Sequence, residues 1–223
     1  MFENYGVIFD LDGVIVDTGP IHYESWVKLA EEIGVKFTTQ FFEKTFGQQS
    51  TAITRKLVGT KVDQELVEKW ADLKELYYRE MVKDKLNPLP GVIKLLNELY
   101  DKEFKLAVAS SGPLENVELS LNTLNIHRYF NVITTAADVV RGKPEPDVFL
   151  ITAQKLNVEP KNCIVIEDAP VGVTAAKKAN MKVIALRTTH CNADLLNADI
   201  TAPDLSFITL RTIIKLLNIK HNL

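Results

Sequence analysis

The chain has 223 residues, 46% of them apolar and 25% charged, with a formal net charge of −3. That size can bury a substantial core and suits one domain, or one domain carrying an inserted lobe. The charge balance gives no electrostatic footprint for nucleic acid or an anionic membrane, and no apolar run reaches the roughly 18 residues that span a bilayer. The N-terminus, Met1-Phe2-Glu3-Asn4-Tyr5, lacks a basic n-region, so no signal peptide is expected. Two cysteines, Cys163 and Cys191, make neither a disulfide framework nor a zinc site. A reducing, cytoplasmic setting is expected.

In chain order, an apolar run at residues 5–9 reads as a buried strand and ends on Asp10-Leu11-Asp12-Gly13. Residues from about 18 to 86 then read as successive helices with no convincing strand. One spans about 20–33, with Trp26, Leu29, Ala30 and Ile33 on a face; another spans about 63–83, with Leu66, Trp70, Leu73, Leu76 and Tyr77 as its stripe. Asn87-Pro88-Leu89-Pro90-Gly91 reads as a return linker. Four more strands are expected at residues 105–109, 131–135, 163–166 and 182–186, and four helical patterns accompany them. Their faces carry Leu95, Leu96 and Leu99; Val117, Leu121 and Leu124; Phe149, Ile151, Thr152, Ala153 and Leu156; and Val173, Ala176 and Ala179. Pro113, Pro146 and Pro170 fall near first turns, where a missing N–H costs nothing. Strands with little alternation, separated by helices, predict a doubly wound parallel sheet of α/β class, covered on both faces. The predicted division is a Rossmann-like core of residues 1–17 and 87–223 with a helical cap domain of residues 18–86 inserted into it. The tail, residues 218–223, is expected to fray.

Four polar segments fall at or beyond strand ends: Asp10-Leu11-Asp12-Gly13, Ser110-Ser111-Gly112, Lys143-Pro144 and Glu167-Asp168. In open α/β sheets ligands bind beyond the carboxyl ends of the strands. Asp10 and Asp12 share a side in continuing strand geometry, and two adjacent carboxylates need a cation or a proton between them. Magnesium fits, and Asp168 can complete a site with Asp10. Such a metal would let an anionic carboxylate attack an anionic phosphate, while the second carboxylate protonates the leaving oxygen and then activates water. Gly13 allows a tight backbone turn. Ser110 offers a hydroxyl, the N–H groups of Ser111 and Gly112 are expected at the start of a helix, a ready anion site, and Lys143 offers a point charge. Alone, each segment reads as a turn, a cap or a loop; their ordered placement on separate strands points to phosphoryl transfer.

The set resembles the haloacid dehalogenase superfamily over nearly the whole chain. Asp10-Leu11-Asp12-Gly13-Val14 resembles its first motif, Ser110 its second, Gly142-Lys143-Pro144 its third and Glu167-Asp168 its fourth. The resemblance implies Asp10 as nucleophile and Asp12 as general acid and base. It implies magnesium held by the Asp10 side chain, the Asp12 carbonyl and Asp168, with Glu167 as a further or water-mediated ligand. Ser110 and Lys143 would hold the transferring phosphoryl group.

The inserted lobe resembles the cap of the beta-phosphoglucomutase-like subgroup. Residues 14–18, His22 and Trp26 look like its hinge and first helix, with His22 implied to hold the proton-transferring aspartate. Gly47, in Phe46-Gly47-Gln48-Gln49-Ser50, resembles its substrate-specificity loop. Where the mutase carries an arginine for a second phosphate, Ser50 stands here, and Gly112-Pro113-Leu114 replace polar and basic residues. Arg55, Lys44 or Lys56 are the candidate substitutes. The expected activity is hydrolysis of a small phosphorylated metabolite, a sugar phosphate, by a monomeric enzyme. The alternatives are a phosphosugar mutase and, remotely, a non-catalytic binding module.

Overall fold

The computed structural model describes residues 2–83, 85–190 and 195–219. Cys191 and residues 220–223 lie outside the described residues. Six strands form one sheet: β1 (Gly6–Phe9), β2 (Lys105–Ala109), β3 (Val132–Thr134), β4 (Cys163–Glu167), β5 (Lys182–Leu186) and β6 (Ile200–Ala202). All pairings are parallel, in the order β3-β2-β1-β4-β5-β6. The chain builds outward from β1 to β3 and then resumes on the other side of β1, so the switch point lies between β1 and β4.

The strand side chains alternate between two apolar layers. Val7 and Phe9 join Leu106, Val108, Ile164 and Ile166 on one face, under α5 (Val92–Asp101), α6 (Leu114–Thr123) and α9 (Leu210–Leu216). Ile8 joins Ala107, Val165 and Val183 on the other, under α7 (Asp147–Leu156) and α8 (Pro170–Lys178). Both layers are apolar, which is why alternation is invisible in the sequence. Among the described residues, β6 and α9 were not anticipated; β6 is only Ile-Thr-Ala, too short to stand out from its polar flanks.

Four helices fill the insertion: α1 (Gly19–Glu32), α2 (Thr39–Thr45), α3 (Ser50–Val58) and α4 (Gln64–Val82). Trp26, Leu29 and Ile53 make their own core, with Phe37, Phe41, Phe42, Trp70 and Leu73 packed against it. The chain enters and leaves this lobe side by side. The Leu89 N–H donates to the Ile15 carbonyl at 2.9 Å, and Val16 bridges to Pro88. Among the described residues, no helix is long and apolar enough to cross a membrane.

Helix α4 corrects part of the expected stripe: Trp70 and Leu73 pack on the insertion's core as expected, but two of its leucines do not. Leu66 and Leu76 are exposed, at 37% and 45%. The inward face carries Val67, Ala71, Lys74, Glu75, Tyr78 and Val82. Two apolar stripes compete on this helix, and the one carrying two charged residues is buried deeper. Removing two methyls from a fully buried site costs roughly 2 kcal/mol, so Val67→Ala is expected to destabilise by about that much. Leu76→Ala should change stability by less than about 0.5 kcal/mol. Urea unfolding of the two variants checks which face is inside.

Candidate active site

Asp10 follows β1 directly, and its N–H donates to the Ile166 carbonyl of β4 at 2.9 Å. The parallel register places Phe9 beside both Val108 and Ile166, so Asp10, Ser110 and Asp168 emerge together at the switch point. The chain then turns back on itself: Ile15 and Val16 donate to the Leu11 carbonyl, and Gly13 donates to Val16 at 2.7 Å. Gly13 has φ +76°, and a Cβ there would lie 2.0 Å from Asp168 Oδ2. Only glycine permits this loop to close over the third carboxylate.

Lys143 Nζ, buried, donates to Asp10 Oδ1 at 2.5 Å and to Glu167 Oε1 at 2.6 Å. Burial would lower its pKa, but Asp10 and Glu167 outweigh that and raise it. Asp10, Glu167 and Asp168 have oxygens within 4.8 Å of one another. Burial pushes the Asp10 carboxyl up to about 7; Lys143 pulls it down, while Glu167 and Asp12 push it up. Asp168 is raised well above the usual range by burial and by Glu167 and Asp10. One ammonium against three buried carboxylates leaves an excess of negative charge. An all-oxygen donor set of that kind fits a hard divalent cation such as magnesium.

The three acids are not equivalent. Glu167 Oε1 is taken by Lys143, and Oε2 accepts from the N–H groups of Asp168 and Ala169 at 2.9 and 3.0 Å. Thr189 donates to Asp168 Oδ2. Among the described residues, Asp10 Oδ2 and Asp168 Oδ1 take no hydrogen bond, so these are the atoms open to a cation.

The serine segment departs in detail from expectation. Helix α6 begins at Leu114, and the Gly112 N–H donates to Ser110 Oγ at 3.0 Å. Ser111 and Gly112 therefore line a loop ahead of the helix rather than its first turn. Ser111 Oγ reaches across to the Gly47 carbonyl of the cap at 2.8 Å. Gly47 has φ +86°, and a Cβ there would meet Ala169 Cβ at 2.8 Å, so glycine lets the cap loop rest on the core.

Asp12 is turned toward the cap. Its Oδ1 accepts from Thr18 Oγ1 and meets His22 Nε2 at 3.2 Å. His22 Nδ1 lies 2.6 Å from Lys74 Nζ. An ammonium has donors only, so Nδ1 accepts and Nε2 is the nitrogen that donates to Asp12. Burial would raise Asp12, but His22, Thr18 and Lys74 overcome it and hold the carboxyl below the usual range. The His22 ring stacks on Tyr78, with centroids 3.9 Å apart. Lys74 also donates to Glu75 Oε1 at 3.0 Å. Ser50 donates to the same oxygen, Asn116 Nδ2 donates to Glu75 Oε2 at 2.6 Å, and Arg79 donates to Asn116 Oδ1 at 2.9 Å.

Sequence reasoning missed Lys74, Glu75, Asn116 and Thr189. The one available signal was the second stripe on α4, Val67, Ala71, Tyr78 and Val82, with Lys74 in its middle. The candidate basic substitutes do not line the cleft. Arg55 donates to the Gly59 and Val62 carbonyls and to Gln64, capping the end of α3. Lys56 donates to Gln48, and Lys44 lies in a separate groove beside Pro170 and His190.

The cleft between the lobes offers about 40 Å³ to the centres of water molecules. Asp10, Asp12 and Asp168 form its floor, and His22, Lys74 and Glu75 are among the cap residues above. Fold and site together define a capped α/β protein with an acidic cluster at the switch point of a parallel sheet.

The chain belongs to the haloacid dehalogenase-like hydrolase family, whose profile matches residues 7–186. It is 33% identical to beta-phosphoglucomutase of Bacillus subtilis, over 92% of this chain and 91% of that protein. It is 30% identical to a fructose-1-phosphate phosphatase of Escherichia coli, over 84% of this chain and 99% of the relative. Its fold superposes on a crystal structure of beta-phosphoglucomutase from Clostridium difficile with a TM-score of 0.88 at 31% identity, covering 96% and 97% of the two chains.

Burial would raise the Glu75 carboxyl, but Lys74, His22 and Ser50 hold it below its ordinary 4.5. A depressed carboxyl contributes stability that is present above its unfolded pKa and is lost as pH falls through the folded one. The stability of the native protein relative to Glu75→Gln is therefore expected to be greatest near neutral pH and to fall once pH drops below 4.5. Urea unfolding of both proteins at neutral and acid pH measures this.

Proposed function

We propose that the chain is a magnesium-dependent phosphatase of small phosphomonoesters, with sugar phosphates as the substrate class and an aspartyl-phosphate intermediate. The observation that carries this reading is the buried Asp10 at the switch point, flanked by Lys143 and Asp168. In the first half-reaction Asp10 Oδ2 attacks phosphorus, a new O–P bond forms, and the ester O–P bond breaks with its electron pair on the leaving oxygen. Asp12, ionised while Thr18 and His22 donate to it, first takes up a proton from solvent on leaving them and then gives it to that oxygen. In the second, Asp12 takes a proton from water, whose oxygen attacks the aspartyl phosphate and returns Asp10 as a carboxylate with inorganic phosphate.

Magnesium held by the Asp10 and Asp168 side chains, and by the Asp12 carbonyl, would supply the positive charge that lets two anions approach. Lys143, already paired with Asp10, shifts toward the incoming phosphoryl oxygens as a point charge. Glu167 keeps Lys143 in place through the other half of the ion pair. Ser110 Oγ and the Ser111 N–H are the donors for the remaining oxygens. Asp12 has to exchange Thr18 and His22 for the leaving oxygen, so His22 sets when the acid is released.

The floor of the cleft lies under cap residues that are bonded to the core. The cap lifts for entry and product release, breaking the Ser111–Gly47 contact and the 3.3 Å bond from Gln49 to the Ala136 carbonyl. Similarity to a beta-phosphoglucomutase supports a second reading, isomerisation of beta-glucose 1-phosphate.

Phosphate release and isomerisation across a panel of sugar phosphates with magnesium separate the two. Metal-dependent release is expected, reduced at least about 10³-fold in Asp10→Asn; conversion of beta-glucose 1-phosphate without release would make the protein a mutase. Magnesium should also raise the melting temperature of the native protein. Asp168→Asn should abolish that rise, and an equal rise in the variant would remove Asp168 from the metal site.

A further inference from the structure

We propose that Glu75 determines which leaving groups the cleft accepts: its carboxylate takes a hydroxyl hydrogen from an uncharged polyol and bars a second phosphate. The proposal rests on the phosphatase reading and adds the substrate class that the cap selects.

The cap places this side chain opposite the chemistry. Glu75 is 5% exposed, yet it lines the cleft whose floor is Asp10, Asp12 and Asp168. A leaving group bonded to a phosphoryl group on Asp10 extends toward this ceiling. The carboxylate is fixed from three sides, by Lys74 and Ser50 on Oε1 and by Asn116 on Oε2. Arg79 holds the Asn116 carbonyl oxygen, which turns the amide nitrogen toward Glu75. An ionised carboxylate offers about four lone-pair sites. Three are taken, and the fourth suits a hydroxyl donor.

Charge then decides what else can enter. Lys74 is the one lysine or arginine lining the cleft among the described residues, and its ammonium already serves His22 and Glu75. Ser50 also lines the cleft, and its hydroxyl is spent on Glu75. Arg55 and Lys56 are engaged elsewhere. A second phosphate at this end would meet a buried carboxylate with no free cation among the described residues lining the cleft, and like charges in a poorly solvated site repel strongly. An uncharged sugar or sugar alcohol meets an acceptor that its hydroxyls satisfy.

The test compares matched pairs, such as fructose 1-phosphate with fructose 1,6-bisphosphate and glucose 6-phosphate with glucose 1,6-bisphosphate. For the best pair, the native enzyme is expected to favour the monophosphate by at least about 10-fold in kcat/KM. Glu75→Gln removes the charge at nearly constant volume and should shrink that ratio by about 10-fold, through gain on the bisphosphate as well as loss on the monophosphate. An unchanged ratio in a variant that keeps its fold by circular dichroism would overturn the proposal.

Calorimetry on Asp10→Asn covers the case in which Glu75→Gln does not fold, because it reads binding without turnover. Monophosphate binding at least about 10-fold tighter than bisphosphate supports the assignment; equal or tighter bisphosphate binding, or binding of neither, sinks it. Failure of the phosphatase reading itself would show differently, as no phosphate release by the native enzyme from any ester.

Discussion

Everything at this site is arranged around one ammonium among three buried carboxylates. Lys143 Nζ is bonded to Asp10 and Glu167, and Asp168 lies beside them. Carboxylates do not gather in a dry interior unless something holds them, and here the holding is done by backbone geometry. Parallel pairing of β1 with β4 forces Asp10 and Asp168 out at the same edge. The Asp168 and Ala169 amides pin Glu167, and the Gly13 turn closes from above. The sheet order thus matters less as architecture than as the device that makes an unfavourable charge cluster unavoidable. Three carboxylates against one ammonium leave the cluster two positive charges short, which is the charge a divalent cation supplies.

The cap responds to the same cluster from the other side. Asp12 is two residues from Asp10 but belongs electrostatically to the insertion, through Thr18, His22 and Lys74. Two carboxylates of one short motif are therefore held in opposite conditions. Burial and acidic neighbours raise Asp10, while basic and hydroxyl neighbours lower Asp12. The lobes communicate through polar contacts rather than a shared apolar core. Ser111 to Gly47, Gln49 to Ala136 and Asn116 to Glu75 all cross the cleft. Contacts of this kind can be exchanged for water at little cost, whereas an apolar seam would resist separation.

Much of the core was legible in the sequence because its strands are pure apolar runs and its polar groups stop at their ends. Strands β2 and β5 match their expected limits residue for residue, and Asp10, Ser110 and Asp168 sit where the strand ends put them. The insertion was less legible. On α4 two of the apolar residues that set the visible stripe, Leu66 and Leu76, face solvent, while Lys74 and Glu75 are inside. Reading hydrophobic periodicity assigns charged residues to water, and only a partner elsewhere in the chain reverses that. Those partners are His22, Ser50 and Asn116, and none is near α4 in sequence. The direction of the Asp12 side chain was hidden for the same reason.

The adjacency of Lys74 and Glu75 on α4 bears on how such a protein diversifies. Replacing Glu75 alone strands a buried ammonium, and replacing Lys74 alone strands a buried carboxylate and unseats His22. Either single step passes through a less stable intermediate. Change at this position is therefore expected to proceed by tandem exchange of neighbouring codons. Descendants of this chain would differ first as paired changes on a single helical turn, inherited together.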